Sequence, residues 1–310
     1  MIGRFQETLA GRAAERWVET LFTPATLFWA GGMVAYAGRV GWKAIQDWFL
    51  GQPVPLQVAL LLAVPLLIGA SEAVMRRLQL ELLRWLEGYW PGAHLPFLPT
   101  AWLYRLGRRW QRWRFDRAER KWQQLQGLLE KGSLSPDQRG RLAALEGFLR
   151  RFPNDPGDIM PTALGNLLRA AETRPWHKYG LDAVALWPVF WLVLPKEARE
   201  DIATARAELD GGVRFLAWSL LFAVWGIWAW WAPLVALGMA WLACNALRGA
   251  AETYGALVEA AFDVHRTALY RALRWPLPPN PAQERALGEK LSAYLRSGSH
   301  ASWPPFADAD

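Results

Sequence analysis

Between Arg214 and Arg248 the chain runs for 33 residues without a single charge. In lipid, every backbone N–H and C=O has to be satisfied within the segment, which restricts such a stretch to helix. Trp230, Trp231 and Pro233 stand at its midpoint. It therefore reads as two helices of about 16–17 residues folded back on each other, each reaching about 25 Å of a roughly 30 Å hydrocarbon layer. Flanking arginines that snorkel, or a locally thinner bilayer, cover the shortfall.

A second apolar stretch, residues 53–70, carries no charge over 18 positions, about the minimum for a crossing. The stretch before it, 21–38, is weakly apolar and contains Pro24, Gly31, Gly32 and Gly38. Only Gly51 to Pro55 connects the two, so they pair as a hairpin. Two readings of residues 40–50 stay open. They lie in the outer interface, anchored by Trp42 and Trp48, or the first helix runs on to Leu50. In the second case Arg39, Lys43 and Asp47, spaced i, i+4 and i+8, share one face and line a pore or vestibule, because intramembrane charges face a bundle interior or water.

The expected fold class is an all-α integral membrane protein with four transmembrane helices in two hairpins and a helical cytoplasmic segment between them. An amphipathic helix occupies 1–20, with Phe5, Leu9, Ala13 and Trp17 about four apart. The first transmembrane hairpin covers 21–72 and the helical cytoplasmic segment 73–212. The second hairpin covers 213–250, cytoplasmic helices follow over 251–296, and a disordered tail over 297–310. Residues 76–214 hold 23 of the 35 Lys and Arg, against 16 Asp and Glu, and the short connectors at 51–55 and 230–233 hold none. The positive-inside rule then puts the long middle segment and both termini in the cytoplasm. Charges at Arg4, Glu7, Arg12, Glu15, Arg16 and Glu19 precede any apolar run, a pattern unlike a signal peptide.

Composition narrows the partners. The net charge of +7 calls for anionic lipid or nucleic acid, and attachment to a membrane favours lipid headgroups over nucleic acid. The 21 tryptophans suit membrane–water interfaces. In the helix from Trp102 to Lys131, arginines alternate with tryptophans, and Arg105, Arg108, Arg109, Arg112 and Trp113 are the candidate lipid contacts. A solvated face of a helical bundle accounts for the same residues. Ser135, Pro136 and Gln138 form a capping-box signature for the next helix, which Pro153 stops. Residues 183–195 are apolar but too short to span and are interrupted by Pro188, as in a buried core helix or an interfacial segment.

Chemistry is sparse. Cys244 is the only cysteine, so neither an internal disulfide nor a cysteine metal cluster forms. His94, His177, His265 and His300 never fall at i, i+4. None of the familiar nucleophile, phosphate-loop, dinucleotide or zinc-protease motifs occurs, and no carboxylate pair sits in an apolar setting. The chain is read as no enzyme, with no cofactor, no metal site and no catalytic residue.

The stretch from Pro161 to Pro188 contains Leu164-Gly165-Asn166, Leu168-Arg169-Ala170-Ala171-Glu172, Tyr179-Gly180-Leu181-Asp182 and Leu186-Trp187-Pro188. This LGNxLRAAE…YGxD…LWP pattern resembles an uncharacterised bacterial multi-pass membrane-protein family, over about residues 135–296. The resemblance implies bacterial origin, hence the inner (cell) membrane, and a shared cytoplasmic element; it implies no activity. Asn166, Arg169, Tyr179, Asp182 and Trp187 are its motif residues. Asp182 suits an N-cap or a partner for Arg169, roles that hold a fold together. The order of spans and helices is similar in layout to the homopentameric bestrophin anion channels, without a shared motif. The expected role is a homo-oligomeric channel or pore-like protein; the alternative is a membrane-anchored scaffold or sensor binding a cytoplasmic protein partner. In intact cells, a cysteine introduced at Gln52 should react with an external thiol reagent and one at Gln126 should not; the reverse pattern overturns this topology.

Overall fold

A computed structural model of the chain describes residues 23–92, 97–298 and 304–306. The amphipathic helix expected over 1–20 lies outside the described residues, as does most of the tail. Among the described residues every regular element is helical. The order is α1 (Pro24–Val40), α2 (Trp42–Leu50), α3 (Val54–Glu87), α4 (Pro99–Glu130), α5 (Pro136–Leu149), α6 (Ala163–Tyr179), α7 (Ala183–Val193), α8 (Lys196–Leu221), α9 (Ala232–Ala272) and α10 (Pro281–Ser297). Short 3₁₀ turns occupy Pro156–Asp158 and Phe222–Ile227.

Three helices are long and apolar enough to cross a membrane: α3, α8 with its 3₁₀ continuation to Ile227, and α9. α3 leaves Leu61 and Leu66 exposed by 63% and 72%, an apolar surface that needs an apolar surrounding. α1, at 17 residues, is about 25 Å long. It ends at Gly41, whose φ of 93° no helix can pass through. α2 starts anew at Trp42, so the single helix to Leu50 does not form.

Two compact units divide the chain. One takes residues up to Leu83 together with 210–247; the other takes 84–209 and the residues from Arg248 on.

The first unit is built around Phe28. Its ring lies 5.0 Å from Trp218 and 4.9 Å from Trp225. The buried Trp225 indole donates to the Phe28 carbonyl at 3.0 Å, which settles the one polar atom of an otherwise apolar anchor. α1 can come this close because Gly31 and Gly32 face Phe222 and Trp225: a Cβ at Gly32 would stand 2.5 Å from the Trp225 ring. α8 and α9 run antiparallel here, since Gly212 meets Leu247 while Gly226 meets Pro233. Below the aromatic cluster lies a buried charge. Glu72, only 7% exposed, accepts from the Trp218 indole at 3.3 Å and pairs with Arg76 and Arg214 at 3.4 and 3.5 Å. Arg214 also reaches Gln79 at 2.7 Å.

The second unit has its own core. Leu186, Phe190 and Leu194 of the α7 region pack with Phe262, Leu269, Tyr270, Trp275 and Leu291, and Phe190 stacks on Phe262 at 4.2 Å. The short apolar run expected over 183–195 is thus mostly core helix, although Leu192 stays exposed. α4 and α5 form a helical hairpin, and both arms of the Ser135–Gln138 capping box are present, at 2.9 and 3.3 Å. Glu259 gathers Arg174 at 2.6 Å and Lys178 at 2.8 Å.

Gly32→Val would drive a branched side chain into the Trp225 indole. The variant should lose about 1–3 kcal/mol, as overpacked cores do, seen as a lower Tm in detergent; an unchanged Tm would refute the close seat of Trp225 on α1.

Candidate functional site

The site forms where α3 ends. A helix leaves its last carbonyls without partners, and here Gly88 turns out of the helix at φ 106°. The Thr162 hydroxyl donates to the Glu87 carbonyl at 2.9 Å. The same oxygen accepts from the Gly165 N–H at 2.9 Å and so caps α6. Gly165 is required at this spot, because any Cβ would collide with the Glu87 carbonyl oxygen. Pro161 is wedged between Gly88 and Gly107: a Cβ at Gly107 would stand 2.8 Å from the Pro161 carbonyl oxygen, and one at Gly88 would overlap the proline ring. Asn166, 1% exposed, closes the loop by accepting from Met160 N–H at 2.7 Å and donating to the Met160 and Thr162 carbonyls at 3.2 and 2.9 Å.

This junction sets Glu87 beside Glu172 of α6. The two carboxylates share a cavity of about 290 Å³ with Leu168, Ala171, Ala183, Val184, Trp187, Arg206, Tyr254 and Val258. The Arg206 guanidinium lies 5.8 Å from the centre of the Tyr254 ring, and Glu172 is 3.6 Å from Arg169. Burial, then the neighbouring Glu172 charge, pushes the Glu87 carboxyl up to about 7, against the pull of Arg206 and Arg84. Burial also raises the Glu172 carboxyl, with Arg169 opposing it. A carboxyl poised near neutrality in a cleft is a recurrent mark of functional sites.

Of the five motif residues, Trp187 of α7 lines this cavity. Arg169 bridges Asp158 at 2.9 Å and Glu172; the pairing with Asp182 is absent. Asp182 instead caps α7, accepting from Val184 and Ala185 N–H at 3.1 Å, and its other oxygen meets Arg296. The Tyr179 hydroxyl donates to Asp263 at 2.7 Å. Thus only Trp187 touches the cavity directly, and Arg169 acts on it through Glu172.

The remaining candidates lie apart from the cavity. Arg39 ends α1 and donates to the Ile227 carbonyl at 3.1 Å, whereas Lys43 and Asp47 belong to α2. The three therefore share no single helical face, and the break at Gly41 is the reason. On α4, Arg105, Arg109, Arg112 and Trp113 are exposed, but Arg108 turns inward to the Gly157 carbonyl. Among the described residues, no cluster of three metal-ligating side chains occurs. Sequence reasoning missed Glu87, Glu172 and Arg206 as a group because they come from three separate helices. Glu172 was in view as the end of LRAAE; the signal for Glu87 is its place just before Gly88, a glycine that stops the helix. No family model matches the chain, and no curated protein or solved structure matches it.

The ionised Glu87 is disfavoured in the fold, so the folded state holds a proton that the unfolded chain releases between about pH 4.5 and 7. Stability therefore falls as pH rises through that window, and the full cost persists above it. Glu87→Gln should stabilise the protein at pH 8 by roughly 1–2 kcal/mol, after allowing for solvent screening, and leave Tm nearly unchanged at pH 4, below the window. Equal effects at both pH values would refute the assignment.

Proposed function

We propose that this chain is a four-span membrane protein whose helical segment 73–212, on the cytoplasmic side with both termini, serves as a membrane-anchored sensor. The ligand site is the cavity between Glu87, Glu172, Trp187, Arg206 and Tyr254. The observation that carries this reading is the carboxylate pair held in a cleft with one arginine in its wall. The wall carries two carboxylates against Arg206, while Arg169 holds Glu172 and Arg84 acts on Glu87 from outside it, so the wall itself, though not its surroundings, has one negative charge in excess when Glu87 is ionised. Trp187 and Tyr254 add aromatic faces, which attract cations, and Leu168 and Val258 add apolar wall. Such a lining suits a small organic cation: an amine with a short apolar body. A cavity of this size holds a small molecule rather than a peptide.

Binding a cation favours the ionised carboxyl, so it displaces the proton from Glu87. Affinity should then rise with pH and level off above about 7, where Glu87 is already ionised. The homo-oligomeric channel lined by Arg39, Lys43 and Asp47 draws less support from the geometry, because Gly41 separates the three and residues 54–70 of α3 expose an apolar surface. Spans two to four carry almost no polar stripe.

Calorimetric titration of the full chain in detergent with phenethylamine, agmatine and tetramethylammonium tests the reading, with phenylacetate as the anionic control. At least one amine should bind, up to about tenfold more weakly per pH unit below 7, and Glu172→Gln should weaken it about tenfold or more. Binding of phenylacetate in preference to the amines, or amine binding indifferent to Glu172→Gln, would overturn it.

A further inference from the structure

The first four turns of α4 carry a row of large apolar side chains that no other element among the described residues covers. Trp102, Leu103, Leu106, Trp110 and Trp113 are exposed by 63, 48, 51, 56 and 44%. At 100° per residue they occupy an arc of about 100° on the helix. Trp110 and Trp113 stack on one another at 5.0 Å, and Arg117 covers Trp113 at 5.4 Å. Along one border of this row stand Arg105, Arg109 and Arg112. Among the described residues none of these three arginines is held by a hydrogen bond or an ion pair, and residues 99–115 contain no acidic residue at all.

The opposite face of the same helix shows what α4 does when it meets protein. Ala101, Gln111 and Ala118 are buried, Arg108 reaches the Gly157 carbonyl, and Arg114 lies 5.2 Å over Phe148. The indoles divide in the same way. Those of Trp29, Trp122, Trp218 and Trp225 each donate to a protein acceptor. Among the described residues those of Trp102, Trp110 and Trp113 donate to none. An indole with an apolar body and an N–H in want of a polar partner is suited to the headgroup layer.

We propose that this face of α4 lies flat on the membrane surface, with Trp102, Leu106, Trp110 and Trp113 inserted among the lipids and Arg105, Arg109 and Arg112 on anionic headgroups. Three features favour lipid over any other cover. Arg105 and Arg109 have no acidic residue within a turn of helix, and Arg112, though four residues before Asp116, forms no ion pair with it among the described residues, so their counter-charge is free to come from outside. The row is indole-rich and its donors need the mixed polarity of an interface. The chain also carries three helices long and apolar enough to cross a membrane, which keeps a bilayer at high effective concentration. Weak binding per residue then suffices, since each arginine near an anionic surface contributes about a fivefold preference. The inference stands whether or not the cavity at Glu87 binds an amine.

The test uses the full chain with Cys244→Ala, spin-labelled through Leu106→Cys and separately through Trp113→Cys, with Ser133→Cys as a control in the exposed turn after α4. Each is reconstituted into phosphatidylcholine vesicles with and without phosphatidylglycerol. Collision rates with oxygen and with a water-soluble nickel complex report depth. With phosphatidylglycerol, the labels at 106 and 113 should favour oxygen several-fold over the control. Adding Arg105→Gln, Arg109→Gln and Arg112→Gln should return them towards the value in phosphatidylcholine alone, while raised salt should weaken the effect in the same direction. Labels that stay as water-accessible as the control in both lipids would overturn the proposal. So would spin–spin broadening that places a second copy on this face, or protection by a single-stranded oligonucleotide that exceeds protection by phosphatidylglycerol.

Discussion

The bond from the Thr162 hydroxyl to the Glu87 carbonyl joins the end of one helix to the beginning of another. The C-terminus of α3 is the negative end of its dipole and the N-terminus of α6 the positive end of its own, so the contact is favourable beyond the single hydrogen bond. It also decides where Glu87 stands. A carboxylate on the last residue of a helix faces its own terminal carbonyls, which compounds the desolvation and the nearby Glu172 charge that hold its proton. Gly165, Asn166 and Pro161 then serve one purpose, which is to let α6 begin within hydrogen-bonding distance of that carbonyl. The cavity, with Trp187 and Arg206 on its walls, depends on this start point.

The first unit solves a different problem. A charge as deeply buried as Glu72 is tolerable only when its lone pairs are met. Glu72 and Gln79 are seven residues apart on α3, and Asp210, Arg214 and Trp218 are four apart on α8, so each set lies along one helical face. Gln79 reaches Asp210 and Arg214, while Glu72 reaches Arg214 and Trp218. The two helices therefore run antiparallel in a fixed register, because a slide by one turn would take Arg214 and Trp218 from Glu72 and leave it only Arg76 of its own helix. Apolar contacts between lipid-facing helices seldom specify register this sharply.

What could be read from the chain alone was what neighbours in sequence decide. Ser135, Pro136 and Gln138 announced a helix start, Pro153 a helix stop, and the uncharged runs a helical class with membrane-length elements. Whether residues 40–50 continue the first helix was undecided because their tryptophans and charges suit either an interfacial helix or a continued one; only the positive φ of Gly41 resolves the matter. Of the two roles open to Asp182 the N-cap is the one it takes, and Arg169 pairs elsewhere, for another reason. Asp158, in the loop ahead of α6, is as near in sequence as Asp182, but the loop folds back under Asn166 whereas Asp182 is committed to capping α7. The pairing of Glu87 with Glu172 was invisible, since it rests on a junction between helices 75 residues apart.

Pro161 carries a consequence for the history of such a chain. Its ring fills the space that a side chain at position 88 would need, and its carbonyl the space at position 107. Position 107 is barred by a backbone oxygen that any residue at 161 would carry, and position 88 also by its φ of 106°, so both stay glycine whatever replaces the proline. The two glycines should therefore persist wherever this junction persists. Among divergent relatives they would behave as a single inherited character, which marks the boundary between chains that keep the Glu87 cavity and chains that have rebuilt it.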